Sequence, residues 1–205
     1  MFVESAKLST PEIYPLLVGG IVPRPIAWVS TRSDDGIDNL APYSFFTVAS
    51  CNPPVLSVTQ VNPGDRADKD TLSNLLQNGE CVVNVVSSDL AEVMNASCAD
   101  YPSQISEFEA VGIETDKSHQ VSPLSVKQAK VRYECRLREV ISITDQPAGG
   151  KMMLLDVVGF YVNDDVYSDG MINSKKLDAV GKLGGNDYSK IQEQFALVRP
   201  VLDSE

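Results

Sequence analysis

The sequence has a single histidine, His119, which lies in a polar stretch and is predicted to be a surface residue. It also has few cysteines, namely Cys51, Cys81, Cys98 and Cys135. Their spacing contains no Cys-x-x-Cys pair and matches no zinc-binding pattern. A metal or haem site with histidine ligands is therefore not expected. The cysteines are predicted to be free and mostly buried thiols in a reducing compartment.

Long apolar runs and basic residues are also scarce. No run approaches the roughly 20 apolar residues of a spanning helix, and the N-terminal residues lack the apolar core of a signal peptide. The chain has 17 Lys and Arg against 28 Asp and Glu, which gives a formal net charge of −11. Such an acidic surface argues against nucleic acid or an anionic membrane as the main partner. These features predict a soluble, cytoplasmic protein.

The common motifs of catalysis by side chains are missing. The sequence contains no Gly-x-Ser-x-Gly, no Walker loop and no Gly-x-Gly-x-x-Gly. Neighbouring carboxylates such as Asp34 and Asp35 are most simply explained as turn residues. No catalytic side chain is predicted, so any chemistry must come from a bound cofactor.

The length and composition suit one domain. A chain of 205 residues with 43% hydrophobic content can bury a full core without disulfides or metals. We find no linker and no internal repeat. The sequence predicts a single domain over 1–205, with a barrel core over about 20–165 and a C-terminal extension over about 166–205.

Short β-rich segments separated by turn signals dominate the pattern. Strands are predicted at 26–31 and 40–48 (as one hairpin), and at 55–59, 81–86, 131–143 and 151–162. Helices are predicted at 70–79, 89–96 and 108–113. Hairpins with few intervening helices indicate a mainly β fold, a closed or nearly closed antiparallel barrel with peripheral helices.

Lys69, Asp70 and Thr71 stand directly before the clearest helix. Asp70 or Thr71 could cap this helix, and its first-turn N–H groups would then point at whatever lies in front. A lysine and a hydroxyl beside a helix N-terminus form a plausible phosphate cradle, to which Arg66 could add charge. The alternative is an ordinary capped helix with solvated Lys69 and Arg66.

The segment 39–46, Asn-Leu-Ala-Pro-Tyr-Ser-Phe-Phe, mixes small, polar and aromatic residues within a predicted strand. Pro42 cannot donate to a β-ladder, so the strand must lie at an edge or carry a bulge there. Backbone groups freed in this way, with Asn39 and Ser44, could bind the polar edge of a flat heterocycle. The alternative is a kinked barrel strand without a ligand. Trp28 is interpreted as a core residue rather than as a cofactor platform.

Several motifs together carry a family resemblance, in this order: Pro-Arg-Pro-Ile-Ala-Trp-Val-Ser-Thr at 23–31, the segment 39–46, Pro-Pro at 53–54, Lys-Asp-Thr at 69–71, Val-Val-Asn at 82–84, Glu-Phe at 107–108, Glu-Cys-Arg-Leu at 134–137 and Leu-Gly-Gly-x-x-Tyr at 183–188. Over roughly residues 11–190 the chain resembles the flavin reductase-like, FMN-binding split-barrel family, particularly its flavoredoxin-like branch. The resemblance implies a six-stranded antiparallel split barrel. It also implies a homodimer with flavin near the subunit interface.

The resemblance further implies a set of cofactor-binding residues. Phosphate contacts are expected from Arg66, Lys69 and Thr71, with Asp70 in the same motif. Contacts to the ring and ribityl groups are expected from Asn39, Leu40, Ala41, Pro42, Ser44 and Phe45. Ser30 and Thr31 are expected near the ring, and Arg24 and Tyr188 are expected to complete the pocket.

The implied activity is an FMN-dependent oxidoreductase, with FMN favoured over FAD. It would oxidise NADH or NADPH and pass electrons to free flavin, a partner monooxygenase or another acceptor. One departure stands out, because Phe160 and Tyr161 occupy positions near which many relatives carry a histidine. The alternative is therefore an FMN-binding electron carrier without its own nicotinamide site. A non-catalytic ligand-binding barrel and a structural dimer with a vestigial pocket remain open.

Overall fold

Antiparallel strands form most of the structure, a computed structural model that describes residues 2–65, 68–191 and 193–201. In chain order the strands are β1 Arg24–Pro25, β2 Ala27–Arg32, β3 Asp38–Tyr43, β4 Phe46–Cys51, β5 Pro54–Val61, β6 Glu80–Val85, β7 Thr115–Asp116, β8 Ser125–Val126, β9 Val131–Ser142, β10 Gly150–Val162, β11 Tyr167–Ser168, β12 Met171–Ile172, β13 Val180–Lys182 and β14 Tyr188–Lys190.

The helices are short and lie around the strands. They are α1 Thr10–Gly20, α2 Asp70–Asn78, α3 Ala91–Ala96, α4 Glu107–Val111 and α5 Ser174–Leu177, with 3₁₀ turns at Ser5–Lys7, Ser88–Leu90 and Asp164–Val166. The helix α1 was not predicted from the sequence. Its start is fixed by a capping box, in which the Ser9 backbone N–H donates to Glu12 Oε2 at 2.8 Å. None of the helices in the described ranges is long and apolar enough to cross a membrane.

The main sheet has seven strands in the order β3-β2-β6-β9-β10-β5-β4, with antiparallel neighbours. Its two edge strands, β3 and β4, are consecutive in the chain and are joined by Ser44 and Phe45. Two linking residues can span only about 11 Å, so the two edges must approach each other. The sheet therefore curls into a barrel that is split between β3 and β4. The predicted mainly β fold with peripheral helices is confirmed as a split barrel, with seven strands rather than six.

The strand predicted over 40–48 is wrong in one respect. Its first half is β3, which pairs with β2, whereas its second half is β4, which pairs with β5 on the opposite edge of the sheet. The prediction for Pro42 is confirmed, because β3 is an edge strand. The pairing of β2 with β3 runs without a register shift, so no bulge occurs at Pro42.

Two apolar clusters hold the fold together, one on each face of the sheet. The inner cluster fills the barrel with side chains such as Val29, Leu56 and Met153, and α2 adds Leu72 and Leu75 to it. The outer cluster lies between the other face of the sheet and helices α3 and α4; its largest member is Trp28, which is 0% exposed. Trp28 is thus a core residue, as predicted.

The cysteines are free, but they are not mostly buried. Cys81 and Cys135 are buried and face each other across β6 and β9, whereas Cys51 and Cys98 are exposed. Cys98 follows α3 at the border of a cavity. The prediction of mostly buried thiols is therefore correct for two of the four cysteines.

Candidate functional site

A cavity of about 300 Å³ lies at the N-terminal end of α2. Four parts of the chain border it, namely β3, the start of α2, the segment that follows α3 and the start of α4. Its lining residues are Asn39, Ala41, Pro42, Tyr43, Lys69, Asp70, Thr71, Ser97, Cys98, Ala99, Asp100, Tyr101 and Glu107. The structure thus brings together two of the predicted motifs, and we call this space the α2 cavity.

The first turn of α2 has no side-chain cap from its N-cap residue. That residue is Lys69, whose backbone is extended and whose side chain makes no capping hydrogen bond. The prediction that Asp70 or Thr71 caps the helix is wrong, because both lie inside its first turn. The backbone N–H groups of this turn therefore need acceptors from outside the helix. Such a helix end favours an anion by both hydrogen bonding and the helix dipole.

Lys69 adds a positive charge to this helix end. Its Nζ lies 6.0 Å from the centroid of the Tyr43 ring, within cation–π distance, and both residues border the α2 cavity. The Lys69 backbone N–H donates to Gln60 Oε1 at 3.3 Å, which ties the start of α2 to β5. Arg66, the other predicted cation of this motif, lies outside the described residues.

Asn39 is held by a carboxylate from α4. Its Nδ2 donates to both carboxylate oxygens of Glu107, at 3.0 and 3.2 Å. The backbone N–H of Leu40 donates to Glu107 Oε2 at 2.8 Å. Glu107 is 6% exposed and lies 68 residues from Asn39 in the sequence. Glu107 was not predicted from the sequence as a site residue, although it belongs to the resemblance motif at 107–108.

The Asn39 carbonyl faces two hydroxyls. Thr71 Oγ1 donates to Asn39 Oδ1 at 2.9 Å, and Thr31 Oγ1 lies 3.5 Å from the same oxygen. Thr31 Oγ1 in turn accepts from Asn74 Nδ2 at 3.0 Å. These contacts join β2, β3 and α2, so the polar residues at this end of the barrel form one hydrogen-bonded network.

The pKa of Glu107 lies above its usual range. Burial is the largest cause and the Asp70 carboxylate adds to it, while hydrogen bonds from the Leu40 N–H and Asn39 oppose the shift. The folded protein therefore binds this proton more tightly than the unfolded chain does. The stability that this group contributes is full at pH values below the ordinary glutamate pKa. It is lost as the pH rises through the raised pKa of the folded state.

We expect this loss to disappear in Glu107→Gln, which does not titrate. The free energy of unfolding should be measured by urea denaturation of both proteins from the ordinary glutamate range to neutral pH. The wild type should lose stability relative to the variant as the pH rises through this window. A difference that stays constant with pH would show that Glu107 titrates as it does in the unfolded chain.

Three other predicted residues line a second space. This hollow of about 470 Å³ lies between α1 and the outer side of β4 and β5, and Arg24, Ser44 and Phe45 border it. Its remaining lining is mainly apolar, with Leu17, Val18, Ile21, Pro23, Pro25, Phe46 and Thr47, and with Ser57 and Thr59 on β5. Tyr43, Ser44 and Phe45 are consecutive, so the chain at the barrel split connects the α2 cavity to this hollow.

The guanidinium of Arg24 makes its hydrogen bonds to other residues of the protein. Arg24 is 7% exposed, and its guanidinium donates to the carbonyls of Val18, Ile21 and Leu183 and, at 3.4 Å, to Ser44 Oγ. These bonds fasten the end of α1 and the segment after β13 to the barrel. Arg24 therefore supports the wall of the hollow and positions Ser44.

Two predicted residues point away from the α2 cavity because successive side chains of a strand alternate between faces. Ser30 is fully buried on the outer face, where its Oγ donates to the Leu124 carbonyl at 2.5 Å. The Leu40 side chain lies in the outer cluster, so only its backbone reaches the site. Thr31 is also buried, and its hydroxyl contacts the side-chain carbonyl of Asn39.

Tyr188 lies on β14, outside the lining of both spaces. Its hydroxyl lies 3.3 Å from Asn95 Oδ1, and Lys182 Nζ sits 4.1 Å from the centroid of its ring. Cys98 is exposed as a residue, but partial burial of its thiol raises the pKa of this group, and the charges of Lys69 and Lys182 oppose this shift. Cys98 and Lys69 both line the α2 cavity, and the charge of Lys182 also reaches Cys98.

Phe160 and Tyr161 lie on β10. Phe160 is 64% exposed and packs edge-on against Tyr133, with the ring centroids 5.8 Å apart. The Tyr161 ring stacks on the guanidinium of Arg132, at 3.6 Å. Neither residue borders the α2 cavity or the hollow.

Comparison with known proteins assigns the family. The model of the flavin reductase like domain matches residues 19–178, and the chain belongs to that family. The chain is 38% identical to an uncharacterized protein of Halalkalibacterium halodurans, over 98% of both chains. The predicted family membership is therefore confirmed.

Two solved structures are similar over nearly the whole chain. Nitrilotriacetate monooxygenase component B from Bacillus cereus is 32% identical with a TM-score of 0.92, over 96% of this chain and 98% of that one. The 2-nitrobenzoate 2-nitroreductase NbaA from Pseudomonas fluorescens is 27% identical with a TM-score of 0.88, over 98% of this chain and 96% of that one.

Proposed function

We propose that this protein is an FMN-dependent oxidoreductase that accepts hydride from NADH or NADPH and passes the electrons to free flavin, a partner monooxygenase or another acceptor. The observation that carries the proposal is the uncapped first turn of α2, with Lys69 beside it in the wall of the α2 cavity. Membership of the flavin reductase like family and similarity to a monooxygenase component support the proposal.

The donor set of the α2 cavity fits the phosphate of FMN. In the proposal, the first-turn N–H groups and the Lys69 ammonium bind the phosphate. Arg66 is a further cation expected from the sequence, and it is not among the residues that the structure describes. FMN is favoured over FAD in this proposal because the chain resembles the FMN-binding split-barrel family. Asn39, Ala41 and Pro42 would then contact the ribityl chain or the ring, because they line the same cavity.

The second hollow fits a flat, largely apolar group. Ser44 offers a hydroxyl at its edge, and Phe45 and the residues of α1 supply apolar surface. Two residues that line the hollow, Leu17 and Ile21, are more than half exposed in the single chain. Exposed apolar surface of this kind is typical of subunit contacts, which supports the proposal of a homodimer with flavin near the interface.

Bound FMN would supply the redox chemistry, because its ring accepts a hydride directly from a stacked nicotinamide. The side chains of this protein would then act by position and electrostatics rather than by proton transfer. Lys69 and the start of α2 would anchor one end of the cofactor. Phe45 and the apolar residues around it would exclude water from the other end.

The test begins with the purified protein loaded with FMN and freed of excess flavin. We expect retained flavin absorbance, and oxidation of NADH or NADPH when free FMN is present as acceptor. Nicotinamide oxidation followed at 340 nm, with boiled protein and FMN alone as controls, measures the second part.

The possible outcomes separate the candidate functions. Absence of flavin binding at micromolar FMN would contradict the proposal and favour a vestigial pocket. Bound flavin without oxidation of either nucleotide would favour the electron carrier. That alternative is kept because Phe160 and Tyr161 stand near the position where the family resemblance leads us to expect a histidine.

A further inference from the structure

The hydrogen bonds around Asn39 determine which way its amide faces. The Glu107 oxygens accept in each of the three hydrogen bonds that the structure gives them, from Asn39 Nδ2 and from the Leu40 N–H, so the group of Asn39 that contacts Glu107 is the NH₂ group. The Asn39 carbonyl oxygen is thereby turned toward Thr71 and Thr31. Glu107 is itself fixed, because its Oε2 accepts the backbone N–H of Leu40.

This orientation assigns the remaining protons. The two carboxylate oxygens of Glu107 lie in nearly the same direction from Asn39 Nδ2, at 3.0 and 3.2 Å. One N–H of Asn39 can therefore donate to both oxygens. The second N–H of Asn39 remains for a group in the α2 cavity, which Asn39 lines. The hydroxyl of Thr71 has one proton, and it donates that proton to Asn39 Oδ1. Thr71 can therefore offer only lone pairs to a ligand.

We propose that Glu107 is a positioning residue that sets the hydrogen-bonding polarity of the α2 cavity by orienting Asn39, so that Asn39 presents a donor and Thr71 an acceptor to the flavin. This inference rests on the proposed function. The donor of Asn39 suits a carbonyl or hydroxyl oxygen of the ligand. The acceptor of Thr71 suits a ribityl hydroxyl, which leaves the phosphate to the first-turn N–H groups and Lys69.

The isosteric change Glu107→Gln should reverse this polarity. The Leu40 N–H requires an oxygen opposite it, so the new amide must place its NH₂ group against Asn39. Asn39 then has to turn its oxygen toward residue 107 and its NH₂ group toward Thr71. The cavity would lose the donor of Asn39 and gain a donor at Thr71. We expect the dissociation constant for FMN to rise at least tenfold.

The exchanged pair Asn39→Asp with Glu107→Gln separates positioning from a merely structural role. The amide at 107 can serve the Leu40 N–H with its oxygen and residue 39 with its NH₂ group. The carboxylate at 39 can still accept from Thr71. The formal charge and these internal hydrogen bonds are kept, but the donor toward the cavity is replaced by an oxygen.

The experiment measures FMN affinity by quenching of flavin fluorescence, and thermal stability in the absence of flavin, for the wild type, Glu107→Gln and the exchanged pair. We expect the exchanged pair to recover the thermal stability of the wild type and to remain at least tenfold weaker for FMN. Recovery of FMN affinity to within threefold would overturn the proposal, and so would unchanged affinity in Glu107→Gln. Failure of the wild type to bind FMN would instead refute the proposed function.

Should the exchanged pair fail to fold, Glu107→Gln combined with Asn39→Ala gives a second readout. A residue that acts through Asn39 should have no further effect once the amide is gone. We therefore expect Glu107→Gln to change FMN affinity less than twofold in the Asn39→Ala background. A tenfold further loss in that background would overturn the proposal.

Discussion

Lys69→Ala is expected to weaken FMN binding by about 1–3 kcal/mol, the range for a lost hydrogen bond to a charged group. This corresponds to a dissociation constant roughly five to 150 times higher. The reason is that Lys69 is the one cationic residue among the described residues that line the α2 cavity. It lies beside a helix end that lacks a side-chain cap. Flavin fluorescence titration of the variant and the wild type measures the change.

Two controls make this result specific to the phosphate. Lys175→Ala removes an exposed lysine on α5, outside the lining of the α2 cavity, and should leave FMN affinity unchanged. Riboflavin lacks the phosphate, so its affinity should be the same for Lys69→Ala and the wild type. Equal loss for riboflavin and FMN would show that Lys69 does not act on the phosphate.

Trp28→Ala should lower the free energy of unfolding by about 3–5 kcal/mol, the range for truncating a large buried aromatic residue. Trp28 is fully buried in the outer cluster, and its indole N–H donates to Ser97 Oγ at 3.0 Å. Ser97 Oγ in turn donates to the Met94 carbonyl at 2.7 Å, at the end of α3. The variant therefore loses apolar contacts and also leaves a buried hydroxyl with one partner fewer.

Urea denaturation followed by circular dichroism measures this loss without relying on the only tryptophan. Trp28→Phe keeps most of the apolar contact and should lose clearly less stability. Both variants should bind FMN with near wild-type affinity under conditions where they are folded. A variant that keeps its stability but loses FMN would indicate that Trp28 is a cofactor platform.

Local sequence signals predicted the parts of the fold that depend on neighbouring residues. The hairpin of β9 and β10 follows from two β-rich segments around a glycine turn. The end of α2 follows from Gly79, whose φ of 69° lies in the left-handed region that favours glycine. The helix α1 was missed because Pro15 and the two terminal glycines lower the helix propensity of this segment. The capping box at its start was therefore not recognised as a helix signal.

The errors arose where distant contacts decide the outcome. Residues 40–48 are apolar whether they form one strand or two. They form two, because β3 pairs with β2 at one edge of the sheet and β4 pairs with β5 at the other edge, and this division depends on closure of the barrel. Lys69, Thr71 and Asn39 were predicted as site residues and do border one cavity. Glu107 was missed because its contact with Asn39 joins α4 to β3, and no local pattern reports such a contact.

The central claim is that the start of α2 and Lys69 form the phosphate end of a flavin site. A crystal structure of the protein grown with FMN tests this claim most directly. We predict phosphate oxygens about 3 Å from the first-turn N–H groups of α2 and from Lys69 Nζ. A flavin phosphate bound elsewhere on the protein, with no contact to α2, would contradict the claim.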